Sequence, residues 1–139
     1  MFRPFSTEWA DAFRAAINAD TEYAAVARSW TWPVALVLDA TPAYGYAQPT
    51  AVQLTLDRGN CSSALIMPPH TVSATFVLRA DYGTWKDVVQ DGLDPISAVT
   101  SGRIKFTGPL GTLLMHAKAA SALVNSARAI PTDFPDETE

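Results

Sequence analysis

The run WPVALVLDA (Trp32–Ala40) is the sequence feature that most limits what this chain can fold into. Its apolar residues are continuous rather than alternating, which is the pattern of a strand that is covered on both faces. Asp39 is the first charged residue in the run. We therefore predict a strand that lies inside a sheet, with side chains packed above and below it.

Three later segments also have strand-like patterns. AVQLTLDRG (Ala51–Gly59) alternates apolar and polar residues, as a half-buried strand does. CSSALIM (Cys61–Met67) is a weaker strand pattern that ends at two prolines, and VSATFVLRA (Val72–Ala80) alternates again. Because the loops between successive strands are short, the order favours an antiparallel meander.

Apolar residues at helical spacing lie on both sides of these strands in the sequence. Ser6 is predicted to cap a first helix with an aromatic stripe, and Asp20 to cap a short second one. After residue 80 the period changes to that of a helix, with Asp81 as the predicted N-cap. Asp94-Pro95 has a cap residue followed by proline in the first turn, so it predicts a further short helix.

The last third of the chain predicts a fifth strand and a long final helix. RIKFTG (Arg103–Gly108) alternates like a strand, and Leu110 to about Ala129 has one apolar face. The residues of that predicted face are Leu110, Leu113, Leu114, Ala117, Ser121 and Val124. The acidic, proline-broken tail from about residue 131 is expected to be surface-bound and then disordered.

Together these elements predict one α+β domain that spans residues 1–139. A chain of this length with 48% hydrophobic residues can bury a core of its own. Charged residues make up 17% of the chain, which is below the usual share. This deficit is mild support for an additional interior surface, such as a pocket.

Several functional classes find no support in the sequence. Lys and Arg are scattered and the net charge is -4, so the cationic stripe of a nucleic-acid-binding protein is missing. Cys61, His70 and His116 have no metal-ligand spacing, so we expect neither a metal nor another cofactor. The chain has no nucleophile elbow, P-loop or dinucleotide fingerprint, so we expect no enzyme.

The sequence also predicts where the protein works. The single cysteine fits a reducing compartment, and no apolar run approaches the ~18 residues that cross a bilayer. The start, MFRPFSTEWADAF, has no apolar signal core. We therefore expect a soluble, cytoplasmic protein. A homodimer and transient contact with a membrane are left open.

The segment Ser73–Ser121 resembles the second half of a sterol carrier protein 2 (SCP2) domain. The matching features, in chain order, are the strand TFVLRAD, the aromatic helix residue Trp85, Gly92-Leu93-Asp94-Pro95, Ala98, Gly102, the strand Ile104–Phe106, Gly108 and a leucine-rich helix. Before this segment only the order of the elements is similar to the family. This stand-alone form looks like a bacterial member.

The resemblance implies a five-stranded, mainly antiparallel sheet, covered by helices on one face and enclosing an apolar tunnel. Members of the family bind and carry fatty acids, fatty acyl-CoA, sterols or phospholipids and have no catalytic residues. A lipid site needs a concave apolar wall. The residues that we expect on that wall are Phe76, Leu78, Trp85, Val88, Val89, Ile96, Val99, Phe106, Leu110, Leu113, Leu114 and Ala117.

Two further expectations concern the rim and the opening of the tunnel. The last helix, joined through Gly108-Pro109 and Gly111, is expected to move and admit the ligand. The candidates for contact with an anionic head group at the rim are Arg79, Arg103, Lys105 and Lys118.

Two other functions stay open at this point. An accessory module that binds a protein partner or dimerises would use Tyr44 and Tyr46, expected to be exposed, together with the acidic tail. An enzyme that acts on steroid or acyl substrates would have His116, at the pocket edge, as its base.

Overall fold

Residues 1–137 are described in the computed structural model of the chain. The strands are β1 (Val34–Leu38), β2 (Thr50–Asp57), β3 (Asn60–Met67), β4 (Phe76–Ala80) and β5 (Lys105–Thr107). The helices are α1 (Thr7–Ala19), α2 (Thr21–Val26), α3 (Tyr82–Gln90), α4 (Pro95–Thr100), α5 (Leu110–Met115) and α6 (Ala117–Asn125). Short 3-10 turns lie at Pro42–Tyr44, Pro69–Thr71, Ser126–Ala129 and Pro135–Glu137.

The strands form one sheet in the order β3-β2-β1-β4-β5. β1 pairs parallel with β4, and the other neighbours are antiparallel, so the predicted mainly antiparallel sheet is confirmed. The predicted meander is wrong for β4, because the chain returns after Met67 and adds β4 beside β1 instead of β3. β1 is therefore the central strand, and all five of its residues are buried. This position explains its continuous apolar run.

Burial alternates along the other strands and defines a covered face of the sheet. In β2, Val52 and Leu54 are buried, whereas Thr55 is exposed. The same alternation places Phe76 and Leu78 of β4 on the covered side. The apolar residues of all six helices join these side chains in one core. The α+β architecture predicted from the sequence is therefore present.

The helix starts follow the predicted capping residues. The side chains of Ser6, Asp20, Asp81 and Asp94 each accept a hydrogen bond from a backbone N–H in the first turn of α1, α2, α3 and α4, respectively. Such caps satisfy donors that have no partner within the helix. These four predictions are confirmed.

The chain termini are joined to each other at the α1 side of the core. The backbone N–H of Phe2 donates to the carbonyl of Pro131 at 2.8 Å, and that of Asp133 donates to the carbonyl of Phe2 at 2.7 Å. Trp9 Nε1 donates to Thr132 Oγ1 at 3.2 Å, and Phe134 is buried. The predicted tail is thus packed on the core through residues 131–136, and its predicted disordered end lies outside the described residues.

The predicted final helix is not continuous. It is broken at His116, whose φ of -113° and ψ of 31° separate α5 from α6, and it ends in a 3-10 turn. The buried residues of α6 are Ala119, Ala120, Leu123 and Val124. The predicted apolar face is therefore confirmed at Leu113 and Val124 but wrong at Leu110 and Leu114, which are about half exposed. Ala117 and Ser121 are half-buried.

The loop between β1 and β2 also differs from expectation. Tyr46 is buried, and its hydroxyl donates to the carbonyl of Pro4 at 2.6 Å. The Arg3 guanidinium lies 4.5 Å from the Tyr46 ring centroid. Tyr44 is partly exposed and packs on Tyr82, with the ring centroids 4.8 Å apart. The prediction that both tyrosines are exposed is wrong for Tyr46, which secures the loop to the N-terminal segment.

The helices of the structure are short. Within residues 1–137, none is long and apolar enough to span a membrane.

Candidate functional site

A small apolar void lies inside the core, between the sheet and the last three helices. Its volume is about 10 Å³. It is lined by Trp30, Val34, Phe76, Leu78, Pro95, Ile96, Leu113, Ala120, Leu123 and Val124. A void of this size holds at most about one water molecule, and an apolar one stays dry. The structure therefore has a small void at this place and not the expected tunnel.

Four of the predicted wall residues line this void, namely Phe76, Leu78, Ile96 and Leu113. They come from β4, α4 and α5, which the chain brings together from distant positions. The void is thus built from elements on which the sequence prediction had already placed a wall.

The other predicted wall residues lie elsewhere. Trp85 and Val88 are buried in the core away from the void, and Trp85 Nε1 donates to the carbonyl of Val37 at 2.9 Å. Leu110 and Leu114 are about half exposed. Val89, Val99, Phe106 and Ala117 are half-buried. Ligand binding by the twelve residues stays a prediction.

Six lining residues were not predicted: Trp30, Val34, Pro95, Ala120, Leu123 and Val124. Val124 had been placed on the apolar face of the final helix but not on the wall. Trp30 precedes the predicted central strand and gives no local sign of facing a void. The small side chain of Ala120 was the available signal on α6, since alanine beside larger apolar residues leaves space in a core.

Helix α5 closes the void with a single side chain. Leu113 is the only buried residue of α5. Leu110, Leu114 and Met115 of the same helix point outward. The contact between α5 and the core is therefore narrow, and burial of one leucine side chain stabilises it by about 1.5–3 kcal/mol.

The chain enters α5 through a position that requires glycine. Gly108 has a φ of 135°, and a Cβ there would lie 2.7 Å from the carbonyl oxygen of Thr75 and 3.0 Å from Phe76 Cδ1. A contact under 3.0 Å forces one of the two atoms to move, and a backbone carbonyl moves less easily than the end of a flexible side chain. The start of α5 is thus held against β4 at one point.

The chain leaves α5 through an aromatic cluster. The His116 ring centroid is 5.8 Å from that of Trp30 and 5.2 Å from that of Trp32, both edge-on. The Phe76 ring centroid is 5.1 Å from that of Trp30 and 5.8 Å from that of Phe106. The helical backbone is broken at His116, and the His116 ring packs in this aromatic cluster. Tertiary contacts therefore hold the junction between α5 and α6.

A separate polar cleft of about 900 Å³ lies at the carboxyl ends of β1 and β4. Three of the four predicted rim cations line it, and two of these are paired. Arg79 Nε lies 2.5 Å from Asp39 Oδ1, and an Arg103 guanidinium nitrogen lies 2.7 Å from Asp87 Oδ2. The third, Lys105, is exposed and pairs in register with Arg79 on the neighbouring strand.

This cleft is not continuous with the void. Arg79 follows Leu78 in β4 and Lys105 precedes Phe106 in β5, so side-chain alternation puts the two cations on the sheet face opposite the core. Lys118 lies apart from them, in an outer cleft between α2, α4 and α6. The predicted rim cations are therefore not assembled around the void.

The titratable groups with shifted pKa values are held away from reactive forms. Burial raises the pKa of the Cys61 thiol, which keeps it protonated. Burial also raises the pKa of Tyr82, whose hydroxyl donates to Asp136 Oδ1 at 2.5 Å. Hydrogen bonds from Lys86 and Tyr82 lower the pKa of Asp136. None of these groups lines the void.

Metal ligation finds no support in the same part of the chain. Across residues 1–137, no three His, Cys, Asp or Glu side chains gather in a way that could hold a metal ion.

Two solved structures resemble this chain over most of its length. One is the crystal structure of a sterol carrier protein 2, with 32% identity, a TM-score of 0.86, and coverage of 92% of this chain and 99% of that one. The other is a conserved hypothetical protein from Thermus thermophilus whose description suggests a sterol carrier protein. It has 30% identity, a TM-score of 0.86, and coverage of 96% of this chain and 93% of that one.

A more distant structure shares the fold alone. It is a palmitated SCP2-like protein, SCP2L2, from Aedes aegypti, with 13% identity, a TM-score of 0.56, and coverage of 84% of this chain and 94% of that one. No protein-family model matches the chain, and no curated protein matches it significantly.

Proposed function

Because this chain belongs to the sterol carrier protein 2 family, we propose that it binds one hydrophobic lipid in its apolar interior and carries it without changing it chemically. Residues 1–139 would act as a single lipid-binding domain. The cargo classes are a fatty acid, a fatty acyl-CoA, a sterol or a phospholipid. A buried single cysteine fits a reducing compartment, and therefore a cytoplasmic setting.

The observation that carries the proposal is a wholly apolar void closed by one residue of a six-residue helix. Trp30, Phe76, Leu78 and Ile96 surround the void, and Leu113 of α5 closes it. Helix α2 also buries a single side chain, Tyr23, but it does not line the void. Helix α5 combines a one-residue contact with unfilled space beneath it, so its outward movement would uncover the interior.

Binding requires this interior to expand. Ligand pockets measure ~300–1,000 Å³, whereas the void measures about 10 Å³. We propose that α5 moves outward with Leu113, between the fixed point at Gly108 and the break at His116. The expansion would extend toward Ile96, which lines both the void and the outer cleft beside α4.

The energy scale favours opening in the presence of a ligand. Removing ~300–400 Å² of lipid surface from water is worth ~8–10 kcal/mol at ~25 cal/mol per Å², before the entropic cost of association. Exposing Leu113 costs about 1.5–3 kcal/mol. The gross gain is larger than the cost of exposing Leu113, so a lipid that binds only the open conformation shifts the protein toward it.

The polarity of the site restricts how the cargo lies. The void has no polar lining atoms, so only the apolar part of a lipid fits there and the head group remains outside. The palmitate of the Aedes aegypti relative supports a single acyl chain as one such cargo.

Uptake of a fluorescent fatty acid by the purified protein, with native mass spectrometry of whatever co-purifies, tests the proposal. We expect one bound lipid for each chain. Ile96→Trp should reduce uptake at least tenfold, because the larger side chain occupies the space into which the void expands. Ile66→Trp is the matched control, since Ile66 on β3 is also half-buried but does not line the void and was not predicted on the wall.

Three results would contradict the proposal. One is a protein that co-purifies without lipid and takes up neither fatty acids nor sterols. Another is equal uptake by the Ile96→Trp and Ile66→Trp variants. The third is turnover of a steroid or acyl substrate that is lost in His116→Ala, because His116 would then be a catalytic base.

The other two functions have less support from the geometry. Tyr46 is buried and Phe134 packs in the core, so two features expected at a protein-interaction surface serve the fold instead. His116 lies against the rings of Trp30 and Trp32, an apolar setting for a base.

A further inference from the structure

Helix α5 presents an unusual amount of apolar surface for its length. Residues 1–137 expose six large hydrophobic side chains, and three belong to this helix: Leu110 (48% exposed), Leu114 (47%) and Met115 (84%). We call these three residues the α5 patch. Such a cluster marks an interaction site more often than a single exposed side chain does.

The chain around the α5 patch differs in charge from the rest of the protein. The whole chain carries a net charge of -4, yet no Asp or Glu occurs between Pro95 and Thr132. Lys118 borders an outer groove together with Leu114 and Met115. Glu22 and Asp94 are the carboxylates of the adjoining cleft that Lys118 also lines. The patch itself therefore combines apolar side chains with a neighbouring cation on a generally acidic protein.

The α5 patch and the closure of the void belong to the same helix. Leu113 lies between Leu110 and Leu114 in the chain and points inward, while its neighbours point outward. Any surface that attracts the α5 patch therefore pulls on the one side chain that closes the interior.

From these observations we infer that the α5 patch docks on the surface of an anionic phospholipid membrane and that docking draws Leu113 away from the void. The inference rests on the proposed lipid-carrying function, for which it supplies the place where cargo enters and leaves. Membrane-surface binding needs apolar side chains that enter the acyl boundary and cations that meet anionic head groups.

A lipid surface fits the α5 patch better than a protein partner does. A stable protein interface buries at least ~1,000 Å² in total, and three partly exposed side chains on a six-residue helix form only a small part of such an area. A bilayer accepts a small anchor, because its apolar layer surrounds each side chain that enters it.

Co-sedimentation of the full chain with vesicles tests this inference. Vesicles of phosphatidylcholine are compared with vesicles that also contain roughly 30% phosphatidylglycerol, in which anionic head groups attract cations. We expect binding to the mixed vesicles that weakens with added salt. The double change Leu114→Gln and Met115→Gln should lower the vesicle partition coefficient at least tenfold.

A matched control separates the position of the leucine from its hydrophobicity. Leu65 is 57% exposed on β3, at the edge of the sheet opposite β5. Leu65→Gln should leave vesicle binding unchanged. Lys118→Glu should weaken binding to the mixed vesicles about fivefold or more and leave the weak binding to phosphatidylcholine alone unchanged. Thermal unfolding checks that each variant is folded.

The outcomes distinguish failure of this inference from failure of the proposed function. Fatty-acid uptake from solution without vesicle binding would overturn docking and leave the lipid-carrying function intact. Vesicle binding without uptake of any lipid would overturn the proposed function. Equal effects of the α5 and Leu65 changes would overturn docking through α5. So would a dimer in solution that becomes monomeric in the α5 double variant, because the patch would then be an interface between two copies.

Discussion

The two ends of the core, one beneath α1 and one beneath α5, are packed in different ways. Helix α1 buries Trp9, Ala10, Phe13 and Ile17 among its 13 residues. The Trp9 ring centroid lies 5.1 Å from that of Phe5 and 5.2 Å from that of Phe13. Helix α5 buries only Leu113 among its six residues and lies beside the void.

One hydrophobic core therefore has a tightly packed end and a loosely packed end. At the α1 end the rings of Phe5, Trp9 and Phe13 pack against one another, and we call this cluster the frame. The backbone hydrogen bond from Phe2 to Pro131 joins the two terminal segments beside it. The α5 end has little apolar contact to lose when it moves. The proposed opening needs both kinds of packing, because the segments that move to admit a ligand are drawn from the least stable parts of a fold.

Phe13→Ala should have the largest effect, because it removes a fully buried ring from the frame. We expect the free energy of unfolding to fall by about 4 kcal/mol, as measured by urea denaturation followed by tryptophan fluorescence. A loss of less than about 1 kcal/mol, typical of surface positions, would mean that the α1 end is no more tightly packed than the α5 end.

Leu113→Ala should cost less and should change function. We expect a loss of about 2–3 kcal/mol in the free energy of unfolding, at the lower end for a buried leucine. Fatty-acid uptake should become faster, because the residue that closes the void is shortened. Stopped-flow fluorescence measures the rate. Slower uptake by this variant would argue against entry beneath α5.

Gly108→Ala tests the fixed point at the start of α5. The positive φ and the approach to Thr75 predict a loss of about 2 kcal/mol in the free energy of unfolding. Gly102→Ala is the matched control, since its φ is also positive, at 84°, but a Cβ there would meet nothing within 4 Å. The control should lose only about 1 kcal/mol. Equal losses would show that contact with β4 does not hold Gly108.

Acid should weaken the packing of the C-terminal segment around Asp136, and this is the smallest of the expected effects. Hydrogen bonds from Lys86 and Tyr82 lower the pKa of Asp136 in the folded state. The ionised Asp136 carboxylate therefore stabilises the fold at pH values above about 3.9, the ordinary pKa of Asp. That contribution is lost as the pH falls through the lowered pKa of the folded state.

Amide hydrogen exchange of residues 132–136 between neutral pH and pH ~3 measures this loosening. Asp136→Asn should remove the dependence on pH in that range, whereas Asp57→Asn, an exposed change on β2, should retain it. Identical exchange at both pH values in the unmodified protein, after correction for intrinsic rates, would contradict the role of Asp136.

The parts of the fold that the sequence predicts depend on signals within a few residues. The apolar run of β1 and the capping side chains of Ser6 and Asp81 act locally, so the elements begin close to where expected. The pairing of β4 with β1 and the break at His116 depend on distant residues. The His116 ring packs on Trp30 and Trp32, which no periodicity within the final helix can reveal.

The candidate site follows the same rule. Phe76, Leu78 and Ile96 were predicted on the wall because alternation and helical spacing turn them toward the core. Leu114 was predicted beside them by extending one helical face through residue 116, and the break exposes it instead. Trp30 was missed because its contact with the void depends on how the segment before β1 crosses the sheet.

The parallel pairing of β1 with β4 has a consequence for the order in which the chain folds. β2 and β3 are joined by the tight turn at Arg58 and Gly59, which have φ values of 50° and 95°, so their hairpin forms from local contacts. β4 reaches β1 only after a long loop has closed, which is a slow step. Val34 lies on one side of that seam and Phe76 on the other. Because both residues line the void, it forms only once this long-range pairing is made, so an incompletely folded chain lacks the interior in which the proposed cargo would lie.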